Sequence, residues 1–427
     1  MKTFEKFRES KETRWFNFNL ENQSQTLNPR KHFHRILALG KFEATYFRSQ
    51  INGLRTVSKF VRFVSYPKIY ENLGHKKFQD KITDLCKKFP IDVLLIDAPY
   101  GCYQFDKSTF STIQKLGVKI FGMSFDNSTD FKFYIQQYSL LDGVICTAPM
   151  TRLGFDALGI PSAIFWPNAP YENFIENEVK KERDIEVSFV GNLKADRKQW
   201  IDYLAEKGIK VYVCGWGTQS GKINSNEYRS ILQRSKITLN FNKQNHYKLL
   251  SIFDEQSQWR TLPTLRNIEA TKEGALCLSE WVPELELMFP RNTIEYFSSK
   301  NELYNKILYY LNNDTIREAR ANKTKDHTLT NLNDGKGLGK CVELLYSKSA
   351  QNFSYRGKLT REKIDYSDAY KFGRIIFFTK MLIKSLRKLN ISECFFCLAK
   401  IGKDCLSLNI ILLFIFIFFL RTNRLND

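Results

Sequence analysis

Arg266 and Glu269, three positions apart within Trp259–Pro290, are the residues of this chain best suited by type and spacing to do chemistry. The stretch reads as a helix opening at Pro263, where the missing N–H costs little, and stopped by Gly274. A buried strand follows from Ala275 to Leu278. Residues three apart share a helix face. A guanidinium and a carboxylate at such a strand–loop–helix edge suit a phosphorylated ligand that also carries hydroxyls. The competing reading is a solvated ion pair on the surface. The histidines at positions 32, 34, 75 and 246 show no partner pattern.

These residues sit in a chain of 427 residues, long enough for two or three domains. At 43% hydrophobic and 14% aromatic it can bury sizeable cores, which excludes disorder as the default state. The net charge of +20 suits nucleic acid, an anionic membrane surface or phosphorylated substrates. Nine cysteines are scattered. Cys86, Cys146, Cys214 and Cys277 fall in or beside apolar runs and read as small core residues. Cys394–Cys397 has a metal-like spacing but lacks the second half of a zinc site.

Residues 1–33 are polar and without period, a poorly ordered lead-in, and they lack the apolar core of a secretory signal. Short apolar runs then alternate with helical stretches. The runs are Arg35–Gly40, Phe60–Val64, Ile91–Ile96, Val118–Phe121, Gly143–Thr147 and Ser162–Phe165, with helices at 75–88, 108–116, 130–140 and 149–158 between them. This alternation predicts βαβ units and a parallel, doubly wound sheet over 34–170. Trp166–Tyr171 breaks the pattern and Glu176–Asp184 reads as a linker. A second series over 185–345 has strands at 187–190, 209–214, 236–241, 275–278 and 294–297, and helices at 196–206, 226–234, 300–312 and 314–325. The fold class is therefore α/β: two Rossmann-like domains facing a cleft, with a basic amphipathic tail at 346–427.

Residues 348–427 hold 15 of the basic and 6 of the acidic residues, so much of the excess charge lies in this tail. Within it, 369–389 interleaves Phe, Ile, Leu and Met with Lys371, Arg374, Lys380, Lys384, Arg387 and Lys388, as in a helix lying in a membrane interface. The competing reading packs this helix back on the second domain. Leu406–Leu420 is apolar, yet its 15 residues reach about 22 Å as a helix against a ~30 Å hydrocarbon core. Charge concentrated in an apolar-interleaved tail, with no recognised motif, argues against a nucleic-acid partner.

The order FVGNLKADR, VYVCGWG, LPTLRNIEATKEGALCLSEWVPELELMF, IEYFSSKNELYNKILYYLNND and DHTLTNL resembles the CgeB-like (spore-protein) glycosyltransferase family of GT-B architecture. The run Pro–x–Arg–x–x–Glu–x–x–x–x–Gly is matched loosely at Pro263, Arg266, Glu269 and Gly274, with one residue more between Pro263 and Arg266, and His327–Thr328 stands in the closing segment. The resemblance covers 180–330, and more loosely 90–180. It implies a nucleotide-sugar donor held by the second domain and an acceptor, a glycan or a lipid-linked glycan, held mainly by the first. Under it Glu269 holds ribose hydroxyls, Arg266 offers its fork to the diphosphate, and Gly191 and Asn192 let backbone N–H groups approach phosphate. Trp216, between Gly215 and Gly217, shapes a base pocket or stands in a tight turn beside the core.

The resemblance further implies hexosyl transfer in surface polysaccharide synthesis by a bacterial, cytoplasmic enzyme on the inner face of a membrane. It needs no cofactor or metal, and an anionic membrane surface meets its tail. Related retaining families carry a second Glu eight positions before the ribose Glu. That donor-site slot is Thr261 here, so the stereochemistry cannot be read. An inverting reaction needs a general base from a first-domain loop, for which Asp126 and Asp97 are the candidates, although a capping role is the ordinary one for such residues. The missing Glu favours an alternative, a non-catalytic GT-B relative acting as a structural or glycan-binding coat protein.

Overall fold

The structure is a computed structural model. It describes residues 33–40, 53–97, 103–124, 137–165, 182–242, 264–332, 337–349 and 368–406, apart from positions 148, 194, 219, 222, 283, 291 and 389. Two separate sheets carry the chain, and every strand pairing in both is parallel.

The first sheet contains β1 (Phe33–Gly40), β2 (Ser58–Ser65), β3 (Val93–Asp97), β4 (Lys119–Ser124), β5 (Gly143–Cys146) and β6 (Ser162–Ile164), in the order β2-β1-β3-β4-β5-β6. Its inner strands β3 and β5 are buried throughout because both faces are covered, whereas the edge strand β2 carries Lys59 and Arg62. Alternate residues serve opposite faces. Leu37, Leu39, Leu94, Ile96 and Ile120 pack with Phe78, Ile82 and Leu85 of helix α2 (His75–Lys88), which follows the short α1 (Pro67–Leu73). Phe110 and Ile113 of α3 (Lys107–Lys115) complete that layer. Ile36, Ala38, Val93, Leu95 and Phe121 pack on the other face. Helix α4 (Pro149–Ala157) leads into β6.

The second sheet contains β7 (Ile185–Val190), β8 (Val211–Cys214), β9 (Ser235–Asn240), β10 (Leu276–Glu280) and β11 (Glu295–Phe297), in the order β11-β10-β9-β7-β8. Its helices are α5 (Ala195–Glu206), α6 (Ser225–Arg234), α7 (Arg266–Lys272), α8 (Leu285–Met288), α9 (Lys300–Asn312) and α10 (Asp314–His327). Asn224 caps α6, its side chain accepting from the N–H groups of Asn226 and Glu227, while Glu227 reaches back to Asn224 N. Helix α7 opens at Arg266 rather than Pro263, because Thr264 is drawn into a side-chain network described below. Gly274 ends it in the left-handed region, at φ 78°.

The C-terminal stretch departs from the expected division. Leu332 still belongs to the second core, but helix α11 (Gly337–Ser349) inserts Leu338, Cys341, Val342 and Leu345 into the first sheet's second face. Helices α12 (Asp368–Arg387) and α13 (Ile391–Leu406) then form a hairpin whose Phe378, Met381 and Cys397 join the α2 layer. The basic amphipathic helix thus packs on the first domain, not the second, because the α2 layer has apolar surface left to cover.

Polar contacts fix the hairpin in place. Glu393 accepts from the His75 N–H at 2.8 Å, capping α2, and Phe396 stacks on the His75 ring at 4.1 Å. The His75 ring also meets Tyr70 Oη at 2.7 Å and Asp106 at 2.9 Å, so a histidine without a sequence pattern is a buried polar junction. The hydrogen bond from His75 is the main cause holding the Asp106 carboxyl below its usual range. Cys397 is core rather than ligand, its thiol pushed up to about 12 by burial. No helix among the described residues is long and apolar enough to cross a membrane, and the apolar run after Leu406 lies outside them.

Candidate functional site

In a doubly wound parallel sheet the crevice for a ligand lies at the C-terminal ends of the strands, where the strand order reverses. In the second sheet that reversal falls between β7 and β9. Gly191 ends β7, and its N–H donates to Cys214 O at 2.8 Å. One step further, Leu193 N–H donates to Trp216 O at 2.8 Å, so the Gly191–Asn192 turn and the Gly215–Gly217 turn run side by side. They touch backbone to backbone. A Cβ on Gly215, at φ 119°, would stand 2.4 Å from Gly191 O. Arg197 of α5 donates to Asn192 O at 3.0 Å and Phe241 O at 3.4 Å, tying the turn after β7 to the chain after β9. Trp216 projects from its turn with 65% of its surface exposed.

After β9 the chain is held by amides. Asn240, Asn242, Asn267 and Ser279 are all fully buried. Asn240 Nδ2 donates to Asn267 Oδ1 at 2.7 Å and Asn242 Oδ1 at 2.8 Å, and Ser279 Oγ donates to Asn267 Oδ1 at 2.7 Å. Asn242 Nδ2 reaches Ser279 Oγ at 2.9 Å. Buried amides cost stability unless paired, and this paired set ties Asn240 and Asn242 to α7 and β10. One acceptor faces outward from the network. Asn240 Oδ1 takes Thr264 Oγ1 at 2.7 Å and Arg266 Nη1 at 3.2 Å.

Arg266 therefore lies across the reversal. One arm of its guanidinium reaches Asn240 at the end of β9, and its Nη2 occupies the space above Gly191, where a Cβ would come within 2.3 Å. The group also stands over the Phe189 ring at 5.3 Å. Its Nε is buried without a hydrogen-bond partner, and among the described residues it forms no ion pair. Among the described residues its direct partners are a neutral amide and a ring, an arrangement suited to receiving an anion.

Glu269 points elsewhere. Its Oε2 accepts from Tyr228 Oη of α6 at 2.5 Å. Burial raises its carboxyl above the usual range, opposed by that hydrogen bond and by the Arg266 charge. The two residues thus form no surface ion pair. Glu273 is structural, pairing with Arg229 at 2.9 Å and Gln233 at 2.8 Å.

Among the sequence candidates the structure brings together Gly191, Asn192, Arg266 and the Trp216 turn, with Glu269 one helical turn behind. Asp97 ends β3 of the other sheet and is 2% exposed, and its backbone carbonyl accepts from Tyr66 Oη at 2.8 Å. Asp126 and Thr261 lie outside the described residues. Asn240, Asn242, Asn267, Tyr228 and Arg197 were not anticipated. The alternating asparagines of Leu239–Asn242, at the end of a buried strand, were the available signal.

Residues 175–333 match a family model described as glycosyl transferase-like. No curated protein matches the chain. Among solved structures, sucrose-phosphate synthase from Thermosynechococcus elongatus is 12% identical, over 74% of this chain and 98% of that one, with a TM-score of 0.46. A glycosyltransferase from Rickettsia africae ESF-5 is 10% identical over 75% and 99%, with a TM-score of 0.48. Anabaena Alr3699/HepE in complex with UDP-glucose is 11% identical over 75% and 100%, with a TM-score of 0.48. Likeness at this level assigns no residue. The second domain, which holds the whole β7–β9 arrangement, is the part of the chain that matches the glycosyl transferase-like model.

Proposed function

We propose that this protein is a glycosyltransferase of GT-B type, which binds a nucleotide-sugar donor at the C-terminal edge of its second sheet. The observation that carries this reading is the Arg266 guanidinium, lying over the β7–β9 reversal with a neutral amide and a ring as its direct partners among the described residues. A donor diphosphate supplies the missing anion, and the planar fork suits two phosphate oxygens better than an ammonium would. Charge on the diphosphate grows as the sugar departs, so the same contact stabilises the leaving group in the transition state, and no metal or cofactor is required. The Asn192 N–H adds a dipole, those of Gly191 and Leu193 being taken by Cys214 O and Trp216 O. Glu269, positioned by Tyr228, accepts from ribose hydroxyls, and the exposed Trp216 offers a face to the base.

Thr261 lies at the slot where retaining relatives present an acid to the sugar, and Asp126 is the candidate base of an inverting reaction, ahead of the buried Asp97. The acceptor is a glycan or lipid-linked glycan held by the first domain. Hexosyl transfer in surface polysaccharide synthesis, and the narrower likeness to the CgeB-like family, belong to the same proposal. A lipid-linked acceptor would draw the protein to the cytoplasmic face of a bacterial membrane.

Donor-dependent release of nucleoside diphosphate tests the reading. Turnover lost in Arg266→Ala and Glu269→Ala with the fold retained supports it, and unchanged turnover in both removes the site. Thr261, in place of the expected Glu, favours a second reading, a non-catalytic relative that binds donor or glycan. Saturable nucleoside diphosphate binding with no turnover across a panel of sugar donors would select it.

A further inference from the structure

The α12–α13 hairpin has two faces, and its docking on the first domain accounts for only one. The inner face carries Ile375, Phe378, Met381 and Cys397, together with the Glu393 cap on α2. On α12 the residues Ile376, Lys380, Ile383 and Arg387 follow one another at helical spacing, and all four are exposed. On α13 the same spacing joins Ile391, Phe395 and Leu398, with Ile391 and Phe395 each 69% exposed. The two helices pack along one another and both stripes are exposed to solvent, as is Lys403 near the end of α13. Among the described side chains no acid of the hairpin faces these cations. Among the described side chains of the hairpin the acid is Glu393, which is turned inward at 3% exposure.

We propose that this outward face binds the surface of an anionic lipid bilayer, holding the first domain against it. Three observations choose lipid over another occupant. Isolated branched and aromatic side chains alternate with Lys and Arg, the pattern of a helix seated at the boundary of headgroups and acyl chains. The cations complement anionic lipid. The chain leaving α13 continues as Leu406–Leu420, whose composition is apolar. The hairpin is fixed to the domain by the His75, Glu393 and Phe396 contacts, so the surface is presented without a folding step on binding. The inference is independent of the transferase reading, because lipid binding is measured without donor or turnover.

The full-length chain is mixed with vesicles of phosphatidylcholine alone, or of phosphatidylcholine with a third phosphatidylglycerol, and sedimented across a salt series. The expected result is binding to the anionic vesicles that falls with salt, and little binding to the neutral ones. The double variants Phe395→Ser/Leu398→Ser and Lys380→Glu/Arg387→Glu should each weaken it by about tenfold or more, with the melting temperature unchanged because all four positions are exposed. Equal binding to both vesicle types, or no binding to either, would overturn the proposal. So would wild-type binding by both double variants, which would place the contact in the segment after α13. A concentration-dependent dimer abolished by Phe395→Ser/Leu398→Ser without lipid would assign the face to a second copy instead.

Discussion

Both parallel sheets reverse their strand order once, and different side chains lie over the two reversals. In the first sheet, between β1 and β3, the place is taken by Tyr66, which is fully buried. Its N–H donates to Gly40 O at 3.1 Å and its hydroxyl to Asp97 O at 2.8 Å, so one neutral residue ties the two strand ends together. In the second sheet Arg266 bridges the ends of β7 and β9 in the same sense, but it leaves charge and donors over. Among the described residues, similar topology thus sets a neutral, fully buried tyrosine over one reversal and a half-buried cation over the other, where the donor site is proposed.

The difference can be broken from the second side first. Arg266→Ala should weaken nucleoside diphosphate binding by about 30- to 100-fold, the loss of charge-assisted hydrogen bonds worth roughly 2–3 kcal/mol, as read by titration calorimetry. Arg266→Lys should recover only part of that loss, since the charge returns without the fork. Gly191→Ala introduces a methyl where Nη2 now lies, and should cost binding about tenfold, with overpacking on the order of 1–2 kcal/mol. Tyr66→Phe is the reciprocal change. It should lower stability by about 1 kcal/mol in a denaturant titration and leave donor binding as in wild type. If Tyr66→Phe instead impaired donor binding as strongly as Gly191→Ala, the contrast between the two edges would fail.

The smallest expected effect concerns pH. Burial lifts the Glu269 carboxyl above its usual value, so the folded state holds that proton more tightly than the unfolded chain. Its contribution is complete below the ordinary glutamate pKa and is lost as pH rises through the raised one. Glu269→Gln, which keeps an acceptor for Tyr228, should therefore gain stability relative to wild type across that interval. Melting temperatures measured from pH 4 to 8 should diverge in this direction, and a constant offset would show that Glu269 does not titrate there.

Much of this was legible in local sequence. Helix α2 was readable to its end residues, since Phe78, Ile82 and Leu85 keep an apolar stripe between Gly74 and Phe89. The parallel strands declared themselves because burial on both faces demands unbroken apolar runs such as 93–96 of β3. Arg266 and Glu269 were legible as types, but three-residue spacing could not show that one turns to Asn240 and the other to Tyr228. Asn240 and Asn242 were passed over because a buried amide is explained only by partners, and Asn267 and Ser279 arrive from later in the chain. The destination of α11 and α12 was hidden for the same reason. An apolar helix face announces that it must be buried, not against which of two domains.

The return of α11 to the first sheet also sets an order for assembly during synthesis. The second core closes once Leu332 has emerged, with every strand and helix it needs drawn from 185–332. The first core begins earlier and finishes later, because one of its faces waits for Leu338–Leu345 and the other for Phe378, Met381 and Cys397. On the ribosome the N-terminal domain is therefore an incomplete body while the C-terminal one is whole. A chain cut at the end of the family match would retain the domain of the proposed donor site and leave the other with both of its cores unfinished.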